Sequence, residues 1–400
     1  MDDLFALADS FGPAKIVHIH QPGSGLKAVV AIDNVAAGPA IGGVRMAPDV
    51  STVEAVRLAR AMTLKNAMAG LAHGGGKSVI FGDPQMPHAE KERVVRAFAQ
   101  AIRDLREYIP GPDMGTDETC MAWVSDEIGR SVGLPRELGG IPLDEIGATG
   151  WGLFHAIQVA YERMGRSLAG ARVVVQGYGA VGRHAMRFLA QEGAVLVGAC
   201  DSHGAVHDSH GLDPARLNAL KRAGRQVTDY PGAQRLERDA VIDLECDIWI
   251  PAARPDVLDE HNVGRLRTAL VAEGANIPCT PGAERLLHER GVLVLPDFVA
   301  NAGGVICAAV EYHGGTEGGA FETIRERIRG NIACVLEQSA QQGVPPRQAA
   351  VELAHQRVER AMSFARFGGA AAGNGQGAPG QPHQEAPCTA SAFTAGEARA

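Results

Sequence analysis

The chain has 400 residues, a length that suggests two or three domains at ~100–200 residues each. Its 46% hydrophobic content supports a sizeable core, and 21% charged residues is too few for a disordered polyelectrolyte. A net charge of −8 excludes a global attraction to nucleic acid or anionic membrane, and no apolar run approaches the ~18 residues of a membrane-spanning helix. The 38 basic residues include only six lysines, so arginine is the default cation and a lysine asks for a reason.

The start, Met1-Asp2-Asp3-Leu4, lacks the basic and apolar segments of a secretory signal. Seven cysteines, odd in number and widely spaced without a CxxC, suit reduced thiols and a cytoplasmic location better than a disulfide framework or zinc site. Ala28–Ile32 reads as a strand. Ser51-Thr52-Val53-Glu54 has capping-box spacing and opens a helix running through Lys65. Of the 22 residues between Arg60 and Asp83, only Lys65 and Lys77 carry a fixed charge, with no carboxylate near in sequence. A buried, unpaired ammonium either loses its proton affinity or draws an anion from elsewhere. The pair therefore suits two jobs, one lysine anchoring a substrate carboxylate and the other doing acid–base work. Gly76-Lys77-Ser78 ends like a phosphate-binding P-loop, but the earlier glycine of that motif would fall at Leu71.

Val94, Phe98, Ile102, Leu105 and Ile109 recur at helical spacing, and Pro110 to Thr116 follows as a loop. From about residue 148 the rhythm becomes helix, strand, helix, strand. A helix spans Trp151 to Met164, and short buried strands fall at 172–176, 194–199, 247–250, 270–272 and 292–294, the pattern of a doubly wound parallel sheet. Two helices after residue 320, broken at Gly343-Val344-Pro345-Pro346, close the ordered chain. Residues 368–400 hold 20 Gly, Ala or Pro and read as a disordered tail.

Gly177-Tyr178-Gly179-Ala180-Val181-Gly182 matches GxGxxG, weak alone in a chain with 50 glycines. Here a strand precedes it, a helix is expected from near Arg183, and the next strand ends at Asp201, nineteen residues beyond the last glycine. That context predicts a dinucleotide site: a tight turn, close backbone approach to a pyrophosphate, close helix–strand packing, and phosphates at a helix N-terminus. Asp201 would accept hydrogen bonds from the adenosine ribose and repel a 2′-phosphate, favouring NAD. NADP is not excluded, because Ser202 and His203 could help hold a phosphate.

His18 and His20 share one face of a strand, but without a third ligand nearby they read as surface histidines rather than a metal site. Cys120, Cys279 and Cys307 read as small buried residues, and Trp123 and Trp151 as core.

Taken together, Gly42-Gly43-Val44-Arg45, Thr63-Leu64-Lys65-Asn66-Ala67, Gly74-Gly75-Gly76-Lys77, Gly111 to Thr116, Ala148-Thr149-Gly150, Pro251-Ala252-Ala253, Glu273-Gly274-Ala275-Asn276 and Asn301-Ala302-Gly303-Gly304-Val305 resemble the glutamate/leucine/phenylalanine/valine dehydrogenase family over residues 13 to 330. The resemblance implies reversible oxidative deamination of an L-amino acid to a 2-oxo acid and ammonia, with hydride passing to nicotinamide. By position, Lys65 would hold the substrate α-carboxylate, Lys77 would activate water, and Asp113 would shuttle the amino-group proton. Thr149 and Asn276 would lie near the nicotinamide and its ribose, and Asn301 would help bind substrate. Glutamate enzymes of this family carry a lysine directly before Gly-Gly-x-Arg and a serine seven residues after the Asn of Asn-Ala-Gly-Gly. Here those positions, beside Gly42 and along the Asn301 segment, are Ile41 and Ala308. An apolar pair cannot offset a buried γ-carboxylate, so an apolar substrate, branched-chain or aromatic, is expected, with glutamate left open as the alternative. A catalytically silent regulatory relative should have lost Lys65, Lys77 or Asp113, and a hydroxy-acid dehydrogenase would show a His/Arg constellation absent here.

The expected architecture is α/β in two domains. Residues 1–147 would bind substrate and mediate oligomerisation, helped by helices in 331–367 packing back. Residues 148–330 would form a Rossmann-like NAD(P)-binding domain. The expected partners are small molecules and further copies of the chain, not nucleic acid or membrane.

Overall fold

A computed structural model describes residues 4–365; the tail expected at 368–400 lies outside the described residues. The first part of the chain builds a five-stranded sheet from β1 (Lys15–Gln21), β2 (Leu26–Asn34), β3 (Ala40–Ala47), β4 (Gly74–Phe81) and β5 (Tyr108–Pro112), in the order β1-β2-β4-β3-β5. β2 pairs antiparallel with both β1 and β4, whereas β3 pairs parallel with both β4 and β5. Helices α1 (Thr52–Met68), α2 (His88–Ala101) and α3 (Glu118–Ile128) accompany this sheet.

α1 starts where the spacing predicts. The Ser51 hydroxyl accepts from the Glu54 N–H at 3.1 Å, while the Glu54 carboxylate turns to Arg45 instead of back to the cap. The helix lies directly on β4 because glycine leaves room: a Cβ at Gly75 would sit 2.0 Å from the Thr63 nitrogen. That contact fixes the height of Lys65, two residues along the helix from Thr63, over the strand that carries Lys77.

The helix predicted from Val94 onward is shorter than its apolar pattern. It stops at Ala101 with Ile102 as its cap, Leu105 lies in the turn after it, and Ile109 is a residue of β5. Pro110, Gly111 and Pro112, expected in a loop, also belong to β5. Period-3.6 spacing continued by chance into a buried parallel strand, where an unbroken apolar run has no period of its own.

Short α4 (Leu143–Ile146) leads to α5 (Ala148–Arg163), which is apolar nearly all round because it is covered on all sides, notably by α6 and α11. The second sheet uses β6 (Arg172–Gln176), β7 (Val195–Asp201), β8 (Gly204–Leu212), β9 (Gln234–Leu236), β10 (Ile248–Pro251), β11 (Leu270–Ala272) and β12 (Leu293–Leu295). Its order is β12-β11-β10-β6-β7-β8-β9, five parallel strands extended by an antiparallel pair. The helices of this half are α6 (Ala180–Gln191), α7 (Pro214–Arg222), α8 (Pro281–Glu289), α9 (Asp297–Ala300) and α10 (Gly303–Tyr312), followed by α11 (Glu317–Gln342) and α12 (Pro346–Phe364).

α6 begins at Ala180, inside the glycine motif rather than near Arg183. β8 and β9 escape the apolar pattern, because the polar run His207-Asp208-Ser209-His210 lies on half-solvated β8 and β9 is only three residues long. Strand order reverses on either side of β6, which places the topological switch point, the usual ligand crevice of such sheets, at the C-terminal ends of β6 and its neighbours. α12 returns to the first sheet's helix: the Arg357 guanidinium donates to the last carbonyls of α1, Ala67 at 3.1 Å and Met68 at 2.7 Å.

Candidate active site

Lys77 rises from β4 into a buried position, its side chain 8% exposed, and forms an ion pair with Asp113 Oδ2, 36 residues away in sequence. The anion demanded by an unpaired lysine thus comes from the loop after β5. That loop is held by the Thr116 hydroxyl, which donates to the Val44 carbonyl at 2.7 Å and accepts from the Asp113 N–H at 3.1 Å. Gly43 lets the aspartate approach, since a Cβ there would lie 2.7 Å from Asp113 Cβ. Burial, and then the like charges of Arg45 and Lys65, pull the Lys77 ammonium down to about 7, while Glu54 opposes them. An amine that changes charge near neutral pH is suited to moving protons.

Lys65 is partly buried and its Nζ donates to Asn301 Oδ1 at 2.6 Å. It forms no ion pair among the described residues. Burial lowers its proton affinity and Asp297 opposes that. Asn301, following α9, donates in turn to Asn276 Oδ1 at 3.0 Å and to the Gly274 and Ala275 carbonyls at 3.3 Å each. Lys65, Asn301 and Asn276 therefore form one hydrogen-bonded chain joining α1 to the loop after β11. Thr149, at the start of α5, lies against the start of α10, where a Cβ on Gly304 would be 3.1 Å from its hydroxyl.

Ile41 lies on β3 opposite Gly75 and Ile109, and the carbonyl of Gly42 accepts from the Tyr108 hydroxyl at 2.9 Å. Ile41 is 3% exposed and Ala308, on α10, is 7% exposed; both belong to one apolar cluster with Met68, Leu71, Ile109 and Val132.

The glycine motif sits at the switch point. Gly177 takes φ +97°, a left-handed conformation that a side chain resists, and its N–H and that of Tyr178 donate to the Cys200 carbonyl of β7. At Gly182 a Cβ would lie 2.3 Å from the Gly177 carbonyl and 2.6 Å from Val175, so α6 packs tightly on its own turn. Gly179 is different: a Cβ there would meet nothing within 4 Å, so the chain's own packing does not require that glycine. It caps α6 without a side-chain hydrogen bond, so the first N–H groups, around Ala180 and Val181, face outward with the helix dipole behind them. These residues fit a dinucleotide pyrophosphate.

Asp201 ends β7 as predicted, but its carboxylate is already engaged. Oδ2 accepts from Lys221 Nζ at 2.8 Å and from the Val227 N–H at 2.9 Å, and Oδ1 accepts from the His203 N–H at 3.0 Å. The expected free acceptor and repulsive charge is thus largely neutralised, which weakens the sequence case for NAD over NADP. Lys221, one of the six lysines, is thus paired with Asp201.

One cluster escaped the sequence reading altogether. Arg347 of α12 binds three carboxylates: Glu273 Oε2 at 2.6 Å, Glu284 Oε1 at 2.5 Å and Asp297 Oδ1 at 2.8 Å. Burial pushes Glu273 up to about 8. The motif containing Glu273 was visible, but a partner 74 residues away on another helix was not.

A glycine cradle at the switch point of one sheet, together with a buried lysine–aspartate pair on the other, fits a nicotinamide-dinucleotide dehydrogenase. Residues 139–366 match the Glutamate/Leucine/Phenylalanine/Valine dehydrogenase family and residues 13–130 its dimerisation domain, and the chain belongs to that family. It is 37% identical over 354 residues to the glutamate dehydrogenase of Aeropyrum pernix, covering 83% of this chain and 84% of the relative. Among solved structures, the Leu-bound form of the hetero-hexameric glutamate dehydrogenase of Thermus thermophilus superposes with a TM-score of 0.78 at 29% identity, over 88% of this chain and 90% of that one. The L-tryptophan dehydrogenase of Nostoc punctiforme superposes at 0.72 and 27% identity, over 90% and 99%. The chain is an NAD(P)-dependent amino-acid dehydrogenase.

Proposed function

We propose that this enzyme reversibly deaminates an apolar L-amino acid, branched-chain or aromatic, to its 2-oxo acid and ammonia. The observation that carries the apolar reading is the burial of Ile41 and Ala308, both uncharged, in one apolar cluster. A substrate γ-carboxylate set against them would lose its hydration without gaining a partner.

In this reading Lys65, lacking a carboxylate of the chain, receives the substrate's α-carboxylate, with Asn301 orienting both. Asp113 takes a proton from the substrate amino group. Lys77, neutral above about pH 7, removes a proton from the water that attacks the imine. The bound nicotinamide supplies the hydride acceptor; Gly177, Gly179, Ala180, Val181 and Gly182 hold its pyrophosphate, Asp201 lies at the adenosine ribose, and Thr149 and Asn276 lie near the nicotinamide end. Residues 1–147 supply the substrate side and the contacts between copies of a homo-oligomer, with 331–367 packing back on them. Residues 148–330 supply the cofactor side. The six cysteines among the described residues are free thiols, which suits a reducing cytoplasm.

The second reading, a glutamate dehydrogenase, is favoured by the printed names of the Aeropyrum and Thermus relatives. A paired substitution separates the two. Ile41→Lys with Ala308→Ser should raise kcat/KM for glutamate by tenfold or more and depress that for leucine or phenylalanine. A variant that loses activity on glutamate, when the native protein already turns it over well, would favour the second reading.

A further inference from the structure

The immediate surroundings of the Lys77–Asp113 pair contain a second ion pair that the roles above leave unused. Arg45, on β3, donates through Nη1 to Glu54 Oε1 at 2.6 Å. Its Nε, buried and without a hydrogen-bond partner, lies 3.6 Å from Asp113 Oδ2, the same oxygen that Lys77 contacts. Arg45 therefore bridges the first turn of α1 and the aspartate after β5, and it approaches the same Asp113 oxygen as Lys77.

The remaining charged groups around Lys77 are few. α1 contributes Glu54 and Lys65, β3 contributes Arg45 and the loop after β5 contributes Asp113. On the neighbouring β2, Asp33 is held by Arg60 at 2.8 Å and by the Thr63 hydroxyl, and Asp297 reaches the site only by its effect on Lys65. Arg45 and Glu54 are thus the two groups near the pair that carry opposite signs and have no assigned role.

The geometry points to Arg45 and Glu54 as an opposed pair of positioning charges that sets where the proton resides between Lys77 and Asp113. The arginine cation makes a protonated Lys77 less favourable and stands 3.6 Å from the Asp113 oxygen that Lys77 contacts. Glu54 tethers that cation and partly cancels it. This inference rests on the reading of Lys77 and Asp113 as the acid–base groups. Like charges within a few ångströms disfavour one another's charged forms, and burial limits the screening.

The signature is a pair of shifts of opposite sign. Arg45→Gln removes a cation and leaves Glu54 unopposed, so Lys77 holds its proton to higher pH. The acid limb of kcat/KM for amino-acid deamination should move up by about half to one pH unit. Glu54→Gln leaves the arginine unopposed, so the limb should move down by about half that amount. Arg45→Lys, which keeps the charge, should restore the limb to within about a quarter of a unit of wild type.

The experiment is the pH dependence of kcat/KM for the three variants and wild type, with far-UV circular dichroism and melting midpoints in parallel. Opposite shifts with rescue by lysine support the inference. Shifts of the same sign, or lowered rates with an unmoved limb, overturn it. If Arg45→Gln does not fold, a Glu54→Gln limb that fails to move down overturns it alone. Lys77→Ala separates the underlying reading: full turnover in that variant would remove Lys77 from the chemistry, whereas a dead Lys77→Ala beside unmoved Arg45 and Glu54 limbs would sink only this inference.

Discussion

Two glycines three residues apart in the cofactor motif should respond to alanine in opposite ways. At Gly182 the added methyl would sit 2.3 Å from the Gly177 carbonyl oxygen and 2.6 Å from Val175 Cγ1. Val175 is fully buried on β6, and Gly177 is fixed by its left-handed turn, so neither can yield cheaply. Overpacking of this kind costs about 1–3 kcal/mol, offset by about 1 kcal/mol because alanine is the better helix former inside α6. The net expectation is a loss of up to roughly 2 kcal/mol in urea unfolding. At Gly179 the backbone has φ −92° and a methyl would meet nothing within 4 Å. Stability should stay within about 0.5 kcal/mol of wild type. The methyl would instead occupy the path of the pyrophosphate, and NADH affinity, followed by fluorescence titration, should fall at least about tenfold, or roughly 1.4 kcal/mol. Wild-type NADH affinity in Gly179→Ala would refute the cradle as drawn, because the space above Gly179 would then not hold the cofactor.

Other consequences concern stability. Arg347→Met would strand Glu273, Glu284 and Asp297 together and should cost about 3–5 kcal/mol in urea unfolding. Adding Glu273→Gln should recover part of that loss, and a purely additive double variant would mean that the two do not communicate. Burial pulls His73 down to about 4, and its Nε2 lies 3.0 Å from His313 Nε2, joining β4's approach to the end of α10. Its folded-state affinity for protons is below the ordinary 6.5, so the unfolded chain binds the extra proton between those values. Stability should fall, by about 1–3 kcal/mol, as pH drops from 6.5 to 4, with no contribution from this group above that window. His73→Gln should flatten part of that slope in melting midpoints, and an unchanged slope would assign it to other groups.

What the sequence made legible follows from the range of the signal. The run Arg172 to Gln176, the glycines after it and the strand to Asp201 form one local unit, so periodicity and turn chemistry were enough to read it. Strands β8 and β9 were invisible because the exposed polar residues of β8 carry no alternation. Lys65 and Lys77 were conspicuous for lacking neighbours of opposite charge, yet only folding supplies Asp113 to one and Asn301 to the other. Asp201 shows the reverse case: the acid was found at its expected place, but Lys221, twenty residues on, had already claimed it. Arg347 was illegible for the same reason, since a buried ion cluster spread over four segments leaves no spacing to count.

The most direct measurement is nicotinamide reduction by the purified native chain, with NAD and NADP each crossed against leucine, valine, phenylalanine, tryptophan and glutamate. The burial of Ile41 and Ala308 predicts that kcat/KM for at least one apolar amino acid exceeds that for glutamate by about tenfold or more, the preference expected of a pocket without a cation for the γ-carboxylate. Efficient turnover of glutamate, with little on the other four, would contradict it.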